Sequence, residues 1–103
     1  MTRAAEFRMT LRRGRRIGSR SVALHVLVHD SGPSRFGFIV PKTVGGAVTR
    51  NLVKRRLREC CRMLLAEVGD GKDVVIRALP ASATTAWPEL LAEVGGGVRK
   101  ALA

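Results

Sequence analysis

The sequence predicts an α+β fold in which helices pack on a small β-sheet. Three observations carry this. Apolar residues recur at helical spacing near both ends and in the middle of the chain. Between these segments lie short β-rich runs, and 103 residues suit one domain with one core. The expected order is helix, two or three strands, helix, strand, helix, with residues 1–103 forming a single domain.

Each element has a local reason. Residues 1–14 read as a helix because Ala4, Phe7 and Leu11 share one face while Arg8 and Arg12 lie on another, and Gly14 suits its end. Residues 15–20 form a basic connector with room for a short strand. Over 22–28, Val22, Leu24, Val26 and Val28 alternate with Ala23, His25 and Leu27, as in a strand, and His29 continues the second face. A turn over 30–34 leads to a strand over 35–40, whose Phe36, Phe38 and Val40 face is expected in the core. Two strands joined by so short a turn should pair antiparallel. A loop over 41–49 contains Gly45 and Gly46, and a long helix follows over 50–68 with Thr49 as N-cap. The run Val74, Val75, Ile76 predicts a central strand over 73–78. A last helix over 83–103 has Trp87 and Pro88 near its start and a stripe of Leu90 or Leu91, Val94, Val98 and Leu102. The three glycines at 95–97 cost it roughly 2–3 kcal/mol relative to Ala, so its end is expected to fray.

Charge points to the partner. The chain carries 19 Lys+Arg against 8 Asp+Glu, a net charge of +11. Residues 1–62 hold 15 basic and 3 acidic side chains, and residues 63–103 hold 4 and 5, so the excess sits in the first part. It is threaded through apolar segments, which implies a folded basic surface rather than a disordered tail. Such a surface attracts polyanions. No apolar run approaches the roughly 20 residues of a membrane span, and no apolar stretch follows Arg3 and Arg8 as a secretory signal requires. Cys60 and Cys61 are adjacent, which suits neither a disulfide framework nor a zinc site. Reduced thiols and a cytoplasmic location are the expectation.

The most informative stretch is 42–62. With Arg50 at zero on a helical wheel, Val53, Leu57, Cys60, Cys61 and Leu64 fall between about 280° and about 20°. Asn51, Lys54, Arg55, Arg58 and Arg62 fall between about 40° and about 140°, with Arg50 at the border. A solvated helix face ordinarily mixes both signs, yet Arg50, Lys54 and Arg58 are like-charged at i, i+4 steps. An external polyanion would offset that repulsion. The chain also holds 15 Arg to 4 Lys, and guanidinium groups fork onto phosphates and stack on bases.

Here the residues resemble a known family. Arg35, Gly37, Val40, Lys42, then Gly45, Ala47, Val48, Arg50, Asn51, then Lys54, Arg55 and Arg58 match in register the motif of the bacterial ribonuclease P proteins. Weaker matches at Glu6-Phe7, 22–27 and 73–81 extend the resemblance over most of the chain. It implies a four-stranded sheet with three helices (αβββαβα), like the second domain of ribosomal S5, with a left-handed β-α-β crossover. It also implies an RNA-binding subunit that assists a catalytic RNA in removing the 5′ leader of precursor tRNA. Carried over by position, Lys42, Arg50, Asn51, Lys54, Arg55, Arg58 and Arg62 are the expected contacts to that RNA. Asn51 has the alternative role of holding local backbone. Phe7, Leu11, His25, Arg8 and Arg12 are expected around the cleft for the leader, with core packing the alternative for Phe7. Leu11 and His25 stand where the family often has aromatics, which weakens the expected base stacking. Leu52 stands where a basic residue is common, and the longer basic arm of many relatives is expected to be absent here.

The chain itself lacks the pattern of a protein-only nuclease. His25 and His29 are about 13 Å apart at strand rise, too far to serve one phosphate. Glu6, Asp30 and Glu59 are scattered, and Gly45-Gly46 lacks the Lys-Ser/Thr of a nucleotide-binding loop. No cofactor is expected on the protein, Mg²⁺ being held by the RNA. The implied partners are ribonuclease P RNA and precursor tRNA, with no membrane and no obligate protein partner. Two alternatives are a structural RNA-binding protein of the ribosome or its assembly, and a helix-turn-helix DNA-binding protein. The second would need a short helix directly before the basic one.

Overall fold

A computed structural model describes residues 4–29 and 32–103; the first three residues of the expected first helix and the first two of the expected 30–34 turn lie outside them. The elements are α1 (Ala4–Arg13), β1 (Arg15–Gly18), β2 (Val22–Val28), β3 (Arg35–Ile39), a 3₁₀ turn (Lys42–Val44), α2 (Ala47–Val68), β4 (Lys72–Ala78), a second 3₁₀ turn (Pro80–Ala83) and α3 (Trp87–Leu102).

The strands form one mixed sheet in the order β1-β2-β4-β3. β4 pairs antiparallel with β2 and parallel with β3. The expected β2–β3 pairing is therefore wrong: β4 lies between them. Val74, Val75 and Ile76 are all fully buried, so this strand needs cover on both faces, and only the centre of the sheet provides it. β3, α2 and β4 form a β-α-β unit that carries the basic helix from one parallel strand to the next.

Alternation divides the sheet into two faces. One presents Val22, Leu24, Val26, Val74, Ile76 and Ala78, with Phe36 and Phe38, to α2 and α3. Val53, Leu57, Cys60, Cys61 and Leu64 are the buried side of α2, as the wheel predicts. Fully burying a residue such as Leu57 contributes about 1.5–3 kcal/mol. The other face carries Ala23, Asp73 and Val75, and α1 crosses it over β2 and β4. Arg35 holds α1 there. It donates Nε and Nη2 to Asp73 at 2.8 and 2.7 Å and Nη1 to Glu6. These bonds, to Asp73 first and then Glu6, raise its pKa further above the ordinary arginine value. Gly14 turns the chain from α1 into β1; a Cβ there would lie 2.5 Å from the Thr10 carbonyl oxygen.

Two helix boundaries differ from expectation. α2 begins at Ala47 with Gly46 as N-cap, so Thr49 lies inside the helix. The extended Gly46 lets the backbone turn helical directly after it, and Arg50 donates its N–H to the Gly46 carbonyl at 2.9 Å. α3 begins at Trp87 rather than 83, because residues 80–83 form the 3₁₀ turn. It runs unbroken through the glycines to Leu102, where fraying was expected. Packing is the reason. Gly97 is buried, and a Cβ on it would lie 3.0 Å from Leu24 Cδ1, so the missing side chain lets α3 approach the sheet closely. That packing offsets poor helix propensity.

Candidate nucleic-acid interface

The start of α2 gathers positive charge. Its first turn contains no acidic residue, although an N-terminal turn normally favours one. Its free N–H groups and positive dipole end stand next to Arg50 and Asn51. Lys42 precedes them, exposed, in the 3₁₀ turn. Val40, Ala47, Arg50, Asn51 and Lys54 line a recess of about 180 Å³ here. Arg50 is half-buried and its Nε finds no acceptor among the described residues.

Further along, Lys54, Arg55 and Arg58 are exposed, and among the described residues none forms an ion pair with a carboxylate. Among the described residues these three cations are therefore not neutralised by the protein's own carboxylates. Arg62 differs. It donates Nε to Glu59 at 2.9 Å and Nη2 to the other oxygen, and this bond lowers the Glu59 carboxyl and raises the guanidinium. Cys60 and Cys61 sit beneath the row as free, buried thiols, pushed up by burial to about 11 and about 12, so they are inert at neutral pH.

The residues expected around the leader cleft lie on the α1 side of the sheet. Phe7 and Leu11 are half-buried on α1, and Arg8 and Arg12 are exposed. His25 stands on the same sheet face as Val75 and Gly37, in the row Arg16, His25, Val75, Gly37 that crosses all four strands. It is half-buried, and its Nδ1 finds no partner among the described residues. Burial first, then the charges of Arg16 and Arg77, lower its pKa and keep it neutral. His29, by contrast, is tied to Asp73, with 3.1 Å between Nε2 and Oδ1.

Arg16, Arg77 and Arg56 escape the sequence reading. The first two are exposed and flank His25 electrostatically. Arg77 shares the parity of Val75, which alternation along β4 would have revealed. Placing Arg16 beside His25 requires the β1–β2 register. Arg56 falls on the far flank of α2 from Lys54 and Arg58. Among the described residues, no three His, Cys, Asp or Glu side chains group as a metal site, and no helix is long and apolar enough to cross a membrane.

The family model for ribonuclease P matches residues 1–102. The chain belongs to the bacterial ribonuclease P protein family. It is 46% identical over 102 residues to the ribonuclease P protein component of Kocuria rhizophila, covering 99% of this chain and 90% of that one. The Staphylococcus aureus ribonuclease P protein structure superposes with a TM-score of 0.84 at 20% identity, covering 98% of this chain and 93% of that one. The Thermotoga maritima protein gives 0.82 at 18%, covering 92% and 90%. At such identities the two structures speak for the fold, three helices on a four-stranded sheet. Family membership makes this the RNA-binding protein subunit of ribonuclease P, an endoribonuclease holoenzyme whose catalysis is by RNA. A ribosomal role is not favoured. A helix-turn-helix reading fails on geometry, since β3 and a 3₁₀ turn precede the basic helix of this ribonuclease P protein.

Proposed function

We propose that the cation row of α2 docks ribonuclease P RNA and that the α1 face of the sheet receives the 5′ leader of precursor tRNA. One observation carries the docking: Lys54 and Arg58 stand exposed without carboxylate partners among the described residues, in line with Arg50 and the acid-free start of the helix. Lys42, Arg50, Asn51, Lys54, Arg55 and Arg58 neutralise and position RNA phosphates. Arg62 contributes less, because a phosphate must compete with Glu59. On the other face Phe7, Leu11 and His25 contact leader bases while Arg8 and Arg12 hold its backbone. Arg35 acts at one remove, by fixing α1 through Glu6 and Asp73.

The chain works as one domain that binds and positions. Mg²⁺ ions held by the RNA supply the hydrolytic chemistry, the protein raising substrate affinity and easing phosphate repulsion. This reading places the protein in the cytoplasm, beside its RNA, with no obligate protein partner. The test is to mix the chain with ribonuclease P RNA and precursor tRNA at low Mg²⁺. Stimulated leader cleavage is the expected result; RNA binding without stimulation would favour a scaffolding role instead. Phe7→Ala should weaken binding of precursor tRNA more than of mature tRNA, and an equal effect would return Phe7 to a packing role.

A further inference from the structure

A second surface on α2 borders the docking row and shares Arg55 with it. Where the start of α3 meets the middle of α2, Trp87, Arg55, Arg56 and Glu59 line an open recess of about 400 Å³. Trp87 packs only partly against the core. Arg55 is exposed and Arg56 half-buried, and neither has a carboxylate partner among the described residues. Glu59, the one acid in the recess, is occupied by Arg62. The recess is therefore cationic and partly aromatic. Val48 and Leu52, 85% and 38% exposed, continue the same flank at i, i+4 steps from Arg56 toward the helix start. Apolar side chains open to solvent among arginines, beside an indole, suit a partner that is both flat and anionic.

We propose that this recess stacks an unpaired nucleobase of ribonuclease P RNA on Trp87, with Arg55 and Arg56 on the flanking phosphates. The inference rests on the docking reading above and deepens it: α2 is gripped on two flanks, by phosphates along Lys54 and Arg58 and by a base at Trp87. An aromatic surface takes any base, because every base has a π-face, and guanidinium groups add cation–π and phosphate contacts. The occupant is the catalytic RNA and not the leader, because Trp87 packs with the α2/α3 side of the sheet while the leader residues are on the α1 side. A protein partner is disfavoured by charge, since it would have to bring carboxylates to two arginines inside a strongly basic surface.

Trp87 is the only tryptophan, so its emission has a single source. The experiment titrates the whole chain with ribonuclease P RNA while reading fluorescence. The expected result is quenching that saturates with binding. Trp87→Leu should weaken binding about tenfold with an unchanged salt slope, and Trp87→Phe should restore most of it. The Arg56→Ala variant, outside the docking row, should flatten the salt slope by about 0.7–0.9. Unchanged emission, together with Trp87→Leu binding within about twofold of the parent, overturns the recess as a contact. If Lys54→Ala/Arg58→Ala still weakens binding in that case, the docking row stands; if it too binds like the parent, the docking reading falls separately. Should Trp87→Leu lose its fold by circular dichroism, quenching of the unaltered chain and the Arg56→Ala variant decide the matter. Quenching by precursor tRNA but not by ribonuclease P RNA would overturn the assignment to the catalytic RNA.

Discussion

Consider replacing Arg50, Lys54 and Arg58 by Ala and following RNA affinity against salt. Each cation that neutralises a phosphate releases counterions and adds about 0.7–0.9 to the slope of log affinity on log salt. Lys54 and Arg58 are exposed, Arg50 is half-buried, and among the described residues none of the three forms an ion pair, so each should count toward the slope. Removing them should lower the slope by about 2–2.7. Between about 50 mM and about 200 mM salt, the parent should then lose about 20- to 40-fold more affinity than the triple variant. Filter binding or fluorescence anisotropy over four salt concentrations measures this. Arg99→Ala is the control: Arg99 donates Nε and Nη2 to Glu67, both at 2.9 Å, far along α3, and its loss should leave the slope alone. A triple variant with the parent's slope would refute the docking row, however much its affinity had fallen.

Other outcomes follow from the same coordinates. Gly96 faces open space in α3, so Gly96→Ala should stabilise the fold by about 0.8–1 kcal/mol in urea unfolding. Gly97→Ala should forfeit that gain and destabilise by up to about 2 kcal/mol, because the new Cβ would meet Leu24 at 3.0 and 3.3 Å; equal stabilisation by both variants would show that Leu24 yields freely. Cys60 and Cys61, pushed up to about 11 and about 12, should react with a thiol reagent at pH 8 at least about tenfold more slowly in the native chain than in urea, and rapid native labelling would contradict their burial. For His25 the folded pKa lies below the ordinary 6.5, so the unfolded chain binds the extra proton more readily. Its contribution to stability is complete above pH 6.5 and declines as pH falls through that value toward the lower folded one; His25→Leu should remove this part of the pH dependence between pH 7 and 5, and an unaltered profile would assign it elsewhere.

The basic helix was legible because its two stripes need nothing beyond a period of 3.6. The residues that bury Val53, Leu57, Cys60, Cys61 and Leu64 necessarily leave Lys54 and Arg58 outside. β4 was legible as a central strand for a similarly local reason, an apolar run too long for a strand with one wet face. Strand pairing was not. A short connection suggested a β2–β3 hairpin, but β4 competes for both partners, and its need for cover on two faces outweighs chain proximity. The start of α2 was misjudged by three residues because Ala47, Val48 and Thr49 give no strong signal beside two glycines.

The sequence by itself determined the element types, the segregation of charge, the identity of the cation row and the family. Those depend on spacing along one element, which backbone geometry alone converts into faces. Only the tertiary structure decided which side chains meet across elements. It left Lys54 and Arg58 without a carboxylate partner among the described residues, set Arg16 and Arg77 around His25, brought Trp87 to Arg55 and Arg56, and let α3 run on through its glycines with Gly97 against Leu24. Partners across elements depend on rotamer, register and close packing, where contacts far apart in sequence are made together, and no local period encodes them.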